Sequence, residues 1–357
     1  MTDHLSLQSY RLLGRSGLRI SPLALGTMTF GADWGWGAEE ADARHIFDAY
    51  VERGGNFVDT ANAYTNGSSE RMIGKFAQGK RDRLVISTKY TMATQPGDPN
   101  SGGNHRKSMM RSVEESLRRL NSDHIDILYL HQWDSLTPVE EILRGMDDLV
   151  RQGKVLYLGM SDTPAWQIAR MQAVSDLRGW TPFIALQSEY SLVERTPERD
   201  LIPMAREMGL GVIPWSPLAN GVLSGKYSRA DLKSGDLTTL HGSRKDVAIG
   251  YGSLSARSLD IADAVKTVAA ETGHSPAQIA LAWTLLNPCV AATLLGARTL
   301  KQFEDNLGAL DVSFTDEQRA RLEQVSAITL GFPHDMLRQP SIAQSIGGGA
   351  ALPARTW

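Results

Sequence analysis

Cysteine is almost missing from this sequence. Cys289 is the only one in 357 residues, so no intrachain disulfide can form, and a reducing setting, the cytoplasm, is expected. There is no excess of one charge either. Lys and Arg number 37 and Asp and Glu 40, a net charge of -3, which argues against nucleic acid as the main partner. The start, Met1-Thr2-Asp3-His4, has neither a basic cluster nor an apolar run, so no signal peptide is expected. One stretch, Ile279 to Ala297, is free of charge and nearly long enough to span a bilayer. Asn287-Pro288 divides it, so a buried helix followed by a buried strand is the better reading, and no membrane partner is expected. The His, Cys, Asp and Glu residues show no metal-ligand spacing, so no metal is expected.

What remains is an ordinary globular composition, 42% hydrophobic and 22% charged, with ample material for a large core. A turn-rich Gly14-Arg15-Ser16-Gly17 between Tyr10–Leu13 and Leu18–Ile20 predicts an N-terminal hairpin. Short apolar runs then alternate with amphipathic stretches. The runs begin at Leu23, Phe57, Leu84, Ile125, Val155, Phe183, Gly211 and Ala292. Each is too short for a helix and reads as a buried parallel strand. Met109, Val113, Leu117 and Leu120 fall on one helical face, as do Ile142, Met146, Leu149 and Val150, and Ser275-Pro276 opens a further helix.

Strand followed by helix, repeated around a ring, is the pattern of an α/β fold of the (β/α)8 TIM-barrel type. An open doubly wound sheet would carry a Gly-rich loop after its first strand, but Gly26-Thr27-Met28-Thr29-Phe30-Gly31 is not G-x-G-x-x-G. We therefore expect one barrel over residues 10–326, a long mobile loop after the seventh strand (219–256), and a tail (327–357) that is either disordered or folded over the barrel mouth.

Functional residues of such a barrel gather at the C-terminal ends of its strands. These ends carry Asp59 and Tyr64, Lys89, His131, Ser161 and Asp162, Gln187, Trp215 and Ser216, and Gly296 to Arg298. Taken singly, each has a bland explanation: Asp59 as a helix cap, Lys89 as a solvated cation, His131 as a satisfied strand-end polar group. Together they have a chemical one. A tyrosine hydroxyl can donate a proton, but its ordinary pKa is near 10, and a neighbouring ammonium stabilises the phenolate and lowers that value. Lys89 has the required charge, Asp59 can hold it, and His131 can donate a hydrogen bond to an oxygen where negative charge develops.

The same residues sit in a recognisable context. The segments Leu13 to Ser21 (LGRSGLRIS), Asn56 to Tyr64 (NFVDTANAY), Ser87 to Lys89 (STK), Asp126 to His131 (DILYLH), Val155 to Ser161 (VLYLGMS), Trp215 to Leu218 (WSPL) and Leu295 to Arg298 (LGAR), with Gln302 and Asn306, resemble the motifs of the aldo-keto reductases in order and spacing. The resemblance extends from residue 10 to about 326, and is nearest to the bacterial branch related to the potassium-channel β-subunits. It implies Asp59, Tyr64, Lys89 and His131 as catalytic residues and NADP(H) as cofactor.

It also implies a cofactor site. Thr27 and Met28 face the nucleotide; Ser161, Asp162 and Gln187 hold the nicotinamide carboxamide; Trp215 stacks on the ring. Ser216, Pro217, Leu218, Gly221 and Leu223 wrap the pyrophosphate, with Lys226 adding a cation. Gly296, Arg298, Gln302, Asp305 and Asn306 take the adenosine end. Asp162 departs from the family's Asn, and a carboxylate can only accept where an amide also donates. Arg298 and Lys226 favour a 2′-phosphate. Phe30, Trp34, Tyr90 and Trp133, with Trp36, suggest an aromatic-walled pocket for a small aldehyde or ketone. The function implied is NADPH-dependent reduction of a carbonyl to an alcohol, or the reverse. Two other readings are an NADP(H)-binding regulatory or redox-sensing protein with slow turnover, and a cofactor-free lyase or isomerase using Lys89 as a Schiff base. Cys289 reads as packing, not as a nucleophile. The oligomeric state is left open.

Overall fold

The computed structural model describes residues 5–232 and 244–350. The chain opens with a hairpin, β1 (Arg11–Leu12) and β2 (Arg19–Ile20), paired antiparallel. Eight parallel strands follow: β3 (Leu23–Gly26), β4 (Phe57–Asp59), β5 (Val85–Tyr90), β6 (Ile125–Leu130), β7 (Val155–Ser161), β8 (Phe183–Glu189), β9 (Gly211–Trp215) and β10 (Thr293–Gly296). Their order is β10-β3-β4-β5-β6-β7-β8-β9, each neighbour next in sequence apart from the return of β10 to β3. The ring closes through Val212, which pairs with Val290 just before β10. This is the expected (β/α)8 TIM barrel with its N-terminal hairpin.

The helices between strands are α1 (Glu40–Glu52), α2 (Ser68–Phe76), α3 (Arg106–Leu120), α4 (Val139–Arg151), α5 (Ala165–Arg178), α6 (Leu201–Met208), α7 (Arg244–Gly250), α8 (Ala256–Thr272) and α9 (Pro276–Leu285), and α10 (Leu300–Leu307) and α11 (Asp316–Ser326) follow the last strand. In α3 the stripe Met109, Val113, Leu117, Leu120 is buried as its spacing predicts. Helix α9 starts with Pro276 in its first turn and a reciprocal cap between Ser275 and Gln278, then buries an apolar run from Ile279 to Trp283. Asn287-Pro288 separates α9 from β10 as expected, and no described helix is long and apolar enough to cross a membrane.

Two cores result. Residues of alternate strand positions, among them Phe57, Val85, Ile127, Tyr129, Ala185 and Ile213, fill the barrel interior, and Leu13 and Ile20 of the hairpin close its lower end. The hairpin fits tightly: Gly14 has φ +54°, and a Cβ there would lie 2.2 Å from the Ile184 carbonyl oxygen. The opposite strand faces pack against the helices as a second, larger layer.

The segment after β9 is not one loop. It includes 3-10 turns over Ala219–Ser224 and Arg229–Leu232, and it re-forms as α7, where Lys245 Nζ pairs with Asp231 at 2.7 Å. The middle of the expected mobile loop lies outside the described residues. The described tail forms α12 (His334–Leu337) and α13 (Pro340–Ile346). It meets the residues that precede α6: His334 Nε2 lies 3.2 Å from Asp200, and Arg199 donates to the Phe332 carbonyl. These contacts place it beside the outer helices.

Candidate active site

Strand alternation determines which side chains reach the barrel axis. On β5, Ser87 and Lys89 point inward while Thr88 points outward to Glu70 of α2, donating to it at 2.6 Å. Asp59 ends β4 on the adjacent strand, paired in register with Ser87. Lys89 Nζ lies 2.5 Å from Asp59 Oδ2 and donates to the Thr60 carbonyl at 2.8 Å and to the Tyr64 hydroxyl at 3.2 Å. Asp59 Oδ1 in turn accepts from Ser87 Oγ at 2.7 Å and from Gln187 Nε2 at 3.0 Å. A buried carboxylate and a buried ammonium are tolerated here because each is paired and further hydrogen-bonded.

Burial works against the charge on Lys89, but Asp59 and Tyr64 more than offset it, so its pKa is held above the ordinary lysine value. Tyr64 differs from the sequence expectation. Lys89 does pull its pKa down, but burial of the hydroxyl outweighs that pull, and the net direction is upward. Tyr64 is therefore a neutral phenol, the form that can give up a proton. His131, at the end of β6, stands edge-on to Tyr64 with ring centroids 5.8 Å apart. Burial and Lys89 lower its pKa to about 3, so the imidazole is neutral, and its Nδ1 has no hydrogen-bond partner among the described residues. Trp34 also meets the Tyr64 ring edge-on, at 6.5 Å, with Trp36 at 5.8 Å from Trp34.

A phenol, an ammonium, a carboxylate and an imidazole thus converge at the C-terminal ends of β4, β5 and β6. The model of the aldo/keto reductase family matches residues 22–327. The chain belongs to the aldo/keto reductase family.

Relatives of this aldo/keto reductase include a norsolorinic acid reductase of Aspergillus flavus, 36% identical over 92% of this chain and 84% of that protein. An aryl-alcohol dehydrogenase [NADP(+)] of Phanerodontia chrysosporium is 35% identical over 89% of this chain and 86% of its own length. An uncharacterized oxidoreductase of Bacillus subtilis, YrpG, is 38% identical over 86% and 93%. The chain is an oxidoreductase of this family.

Around the quartet, Trp215 ends β9 and donates its indole N–H to Asp162 Oδ1 at 3.0 Å. Asp162 follows β7 with φ 37°, an uncommon value for a residue other than glycine. Ser161 is buried beside it. The fit to a nicotinamide nucleotide rests on the donor set at this mouth. Trp215 and Arg298 are both partly exposed, and Gly296 leaves open space where a Cβ would stand. Arg298 precedes α10, whose N-cap is Thr299, and Gln302 accepts from the Arg298 N–H at 3.0 Å. Lys226 is exposed with its Nζ 4.9 Å from the Tyr227 ring. Met28 is half-buried and Asn306 buried.

Several expected roles need correction. Phe30 and Tyr90 do not wall the pocket; both are fully buried with the outer layer, Phe30 in the loop after β3 where it pairs with Ala38, and Tyr90 because Lys89, its neighbour on the strand, points inward. Trp34 and Trp133 remain partly exposed. Asp305 turns to α9, accepting from Ser275 Oγ at 2.9 Å and, through its backbone, from Gln278. The N–H groups of Gly221 and Leu223 both donate to the Leu218 carbonyl, and Pro217 has no N–H, so these residues shape the turn rather than present donors. That turn is left-handed at Ser216, Ala219, Asn220 and Gly221. The Thr27 hydroxyl is engaged with the Asp59 carbonyl and Ser69. Gln187, expected on a carboxamide, gives one Nε2 hydrogen to Asp59, which still leaves its amide oxygen as an acceptor. Two further side chains follow from the period of two along a strand: Ser87 lies two residues from Lys89 and so shares its face, and Glu189 lies two residues beyond Gln187 on β8, in register with Trp215. Among the described residues no group of His, Cys, Asp and Glu could hold a metal.

Proposed function

We propose that this protein reduces aromatic aldehydes or ketones to alcohols, with NADP(H) as the hydride carrier and Tyr64 as the proton donor. The observation that carries this reading is the contact of Lys89 Nζ with both Asp59, at 2.5 Å, and the Tyr64 hydroxyl, at 3.2 Å. When bound, the nicotinamide supplies the hydride, which no side chain can.

The chain's residues do the rest. Tyr64 hydrogen-bonds the carbonyl oxygen and releases its proton to it as negative charge develops. Lys89 faces the phenol oxygen and stabilises the phenolate left behind, and Asp59 keeps Lys89 charged and in place. A neutral His131 donates a second hydrogen bond to the same oxygen without competing for the proton. Ser161, Asp162 and Trp215 hold the nicotinamide, and Arg298 with Lys226 takes the 2′-phosphate. The same arrangement serves alcohol oxidation.

The aromatic substrate class is supported by Trp34 beside Tyr64, by partly exposed Trp133, and by the aryl-alcohol dehydrogenase and the norsolorinic acid reductase among the relatives. The name of the former also supports NADP(H). A narrower placement, beside the bacterial reductases related to potassium-channel β-subunits, rests on the motif resemblance and on the Bacillus relative.

The test is consumption of NADPH with a panel of aromatic and aliphatic aldehydes, for the wild type and for Tyr64→Phe. The variant should bind NADPH as the wild type does and lose reduction by about a hundredfold or more. Near-normal turnover would remove Tyr64 from the role of acid. Tight NADPH binding with negligible turnover across the whole panel would favour the redox-sensor reading.

A further inference from the structure

Asp162 stands where one residue can govern two walls of the mouth. Its carboxylate reaches from the end of β7 over the end of β8 to the indole of Trp215 on β9, and Oδ1 accepts the indole N–H at 3.0 Å. Its backbone carbonyl accepts the N–H of Trp133, in the loop after β6, at 3.2 Å. Both bonds depend on the local backbone, since φ 37° turns the chain sharply just after the strand. From these contacts we propose that Asp162 is a positioning residue: it locks the plane of Trp215 and ties the Trp133 segment to the same post. The claim rests on the reading that a nicotinamide lies against Trp215.

The physical case is one of pre-organisation. A partly exposed indole can turn about two side-chain torsions, and it has a single N–H with which to be held. An aromatic platform fixed before binding loses less freedom when the ring of the cofactor arrives. A carboxylate suits this task better than an amide. Both of its oxygens accept, so no side-chain flip can set a donor against the indole N–H, and a hydrogen bond to an ionised acceptor is roughly twice as strong as a neutral one. An amide at this position would divide its use between holding Trp215 and pairing with the carboxamide. With Asp162, Oδ1 is already committed to Trp215, and the carboxylate, which also meets the Ser161 hydroxyl, keeps lone pairs that can accept from the carboxamide NH₂.

The experiment is a double-mutant cycle read by calorimetric binding of NADPH and, without nucleotide, by tryptophan emission. Asp162→Ala should weaken NADPH about tenfold in the wild-type background. In the Trp215→Phe background, which keeps a ring but removes the N–H, the same change should weaken it only about threefold, the share carried by the direct bond to the carboxamide. Asp162→Asn, the variant that best preserves the fold, should weaken it about threefold, since an acceptor is retained. The emission assigned to Trp215, the wild-type spectrum minus that of Trp215→Phe, should shift in both Asp162 variants before any nucleotide is added. Equal weakening by Asp162→Ala in both backgrounds would overturn the positioning role and make Asp162 a direct ligand only. An unchanged Trp215 emission in both variants would also overturn it. If the wild type binds no NADPH, the cofactor reading fails, while the emission shift still reports separately on the Asp162–Trp215 lock.

Discussion

Gln187 donates its Nε2–H to Asp59 Oδ1 at 3.0 Å from a strand diametrically opposite in the eight-strand ring. The bond crosses the barrel interior and joins residues 128 positions apart in sequence. Together with Ser87 and Lys89 it leaves Asp59 little freedom, so the carboxylate that holds the buried Lys89 ammonium is braced from both sides of the barrel.

That bracing predicts an asymmetry between single and double substitutions. Asp59→Asn should leave Lys89 buried without a countercharge and lower stability by about 3–5 kcal/mol in chemical denaturation. Adding Lys89→Met should recover most of that loss, because the unpaired charge is removed. Neither variant should reduce a carbonyl at a useful rate. If the double variant is as unstable as the single one, electrostatics is not what Asp59 contributes.

His131 makes a prediction about acid. Its pKa falls from 6.5 in the unfolded chain to about 3 in the folded one, through burial and Lys89. Between those values the unfolded chain binds the extra proton, so this residue makes stability fall as pH drops from about 6.5 toward 3. His131→Gln should flatten the decline in melting temperature between pH 7 and 4. An unaltered decline would mean that the imidazole is free to charge in the folded protein.

Glu189 acts in the opposite sense. Burial, with Glu194 and Asp162 nearby, raises its pKa from 4.5 to about 7. The folded state therefore holds the proton more tightly, and the penalty for ionising grows as pH rises through 7. Glu189→Gln should raise the melting temperature clearly at pH 8 and little at pH 4.5. A gain of equal size at both pH values would point to packing and not to charge.

In the proposed site Arg298 would set the preference between the two nucleotides. Its side chain is partly exposed just beyond β10, and a guanidinium there can pair in two-pronged fashion with a 2′-phosphate. Arg298→Ala should weaken NADPH by about tenfold or more and NADH by much less, measured by titration of each. Equal weakening of the two would remove the 2′-phosphate argument.

The ring and the place of the chemistry follow from the order of residues. Apolar runs of strand length separated by 3.6-periodic stretches allow few closed architectures, and a residue directly after a run must lie at a strand end. Hence Asp59, Lys89 and His131 could be located at the mouth without coordinates. Tertiary structure alone decided which side each neighbour faces and what it bonds. Lys89 and Tyr90 are adjacent in the chain, yet one enters the barrel and the other its outer layer, because strand register sets the alternation. Asp305 turned away to Ser275, and Gln187 was drawn across the barrel to Asp59, through contacts between segments far apart in sequence. Burial, too, exists only in the folded chain, and it decided that Tyr64 remains a neutral phenol beside a charged lysine.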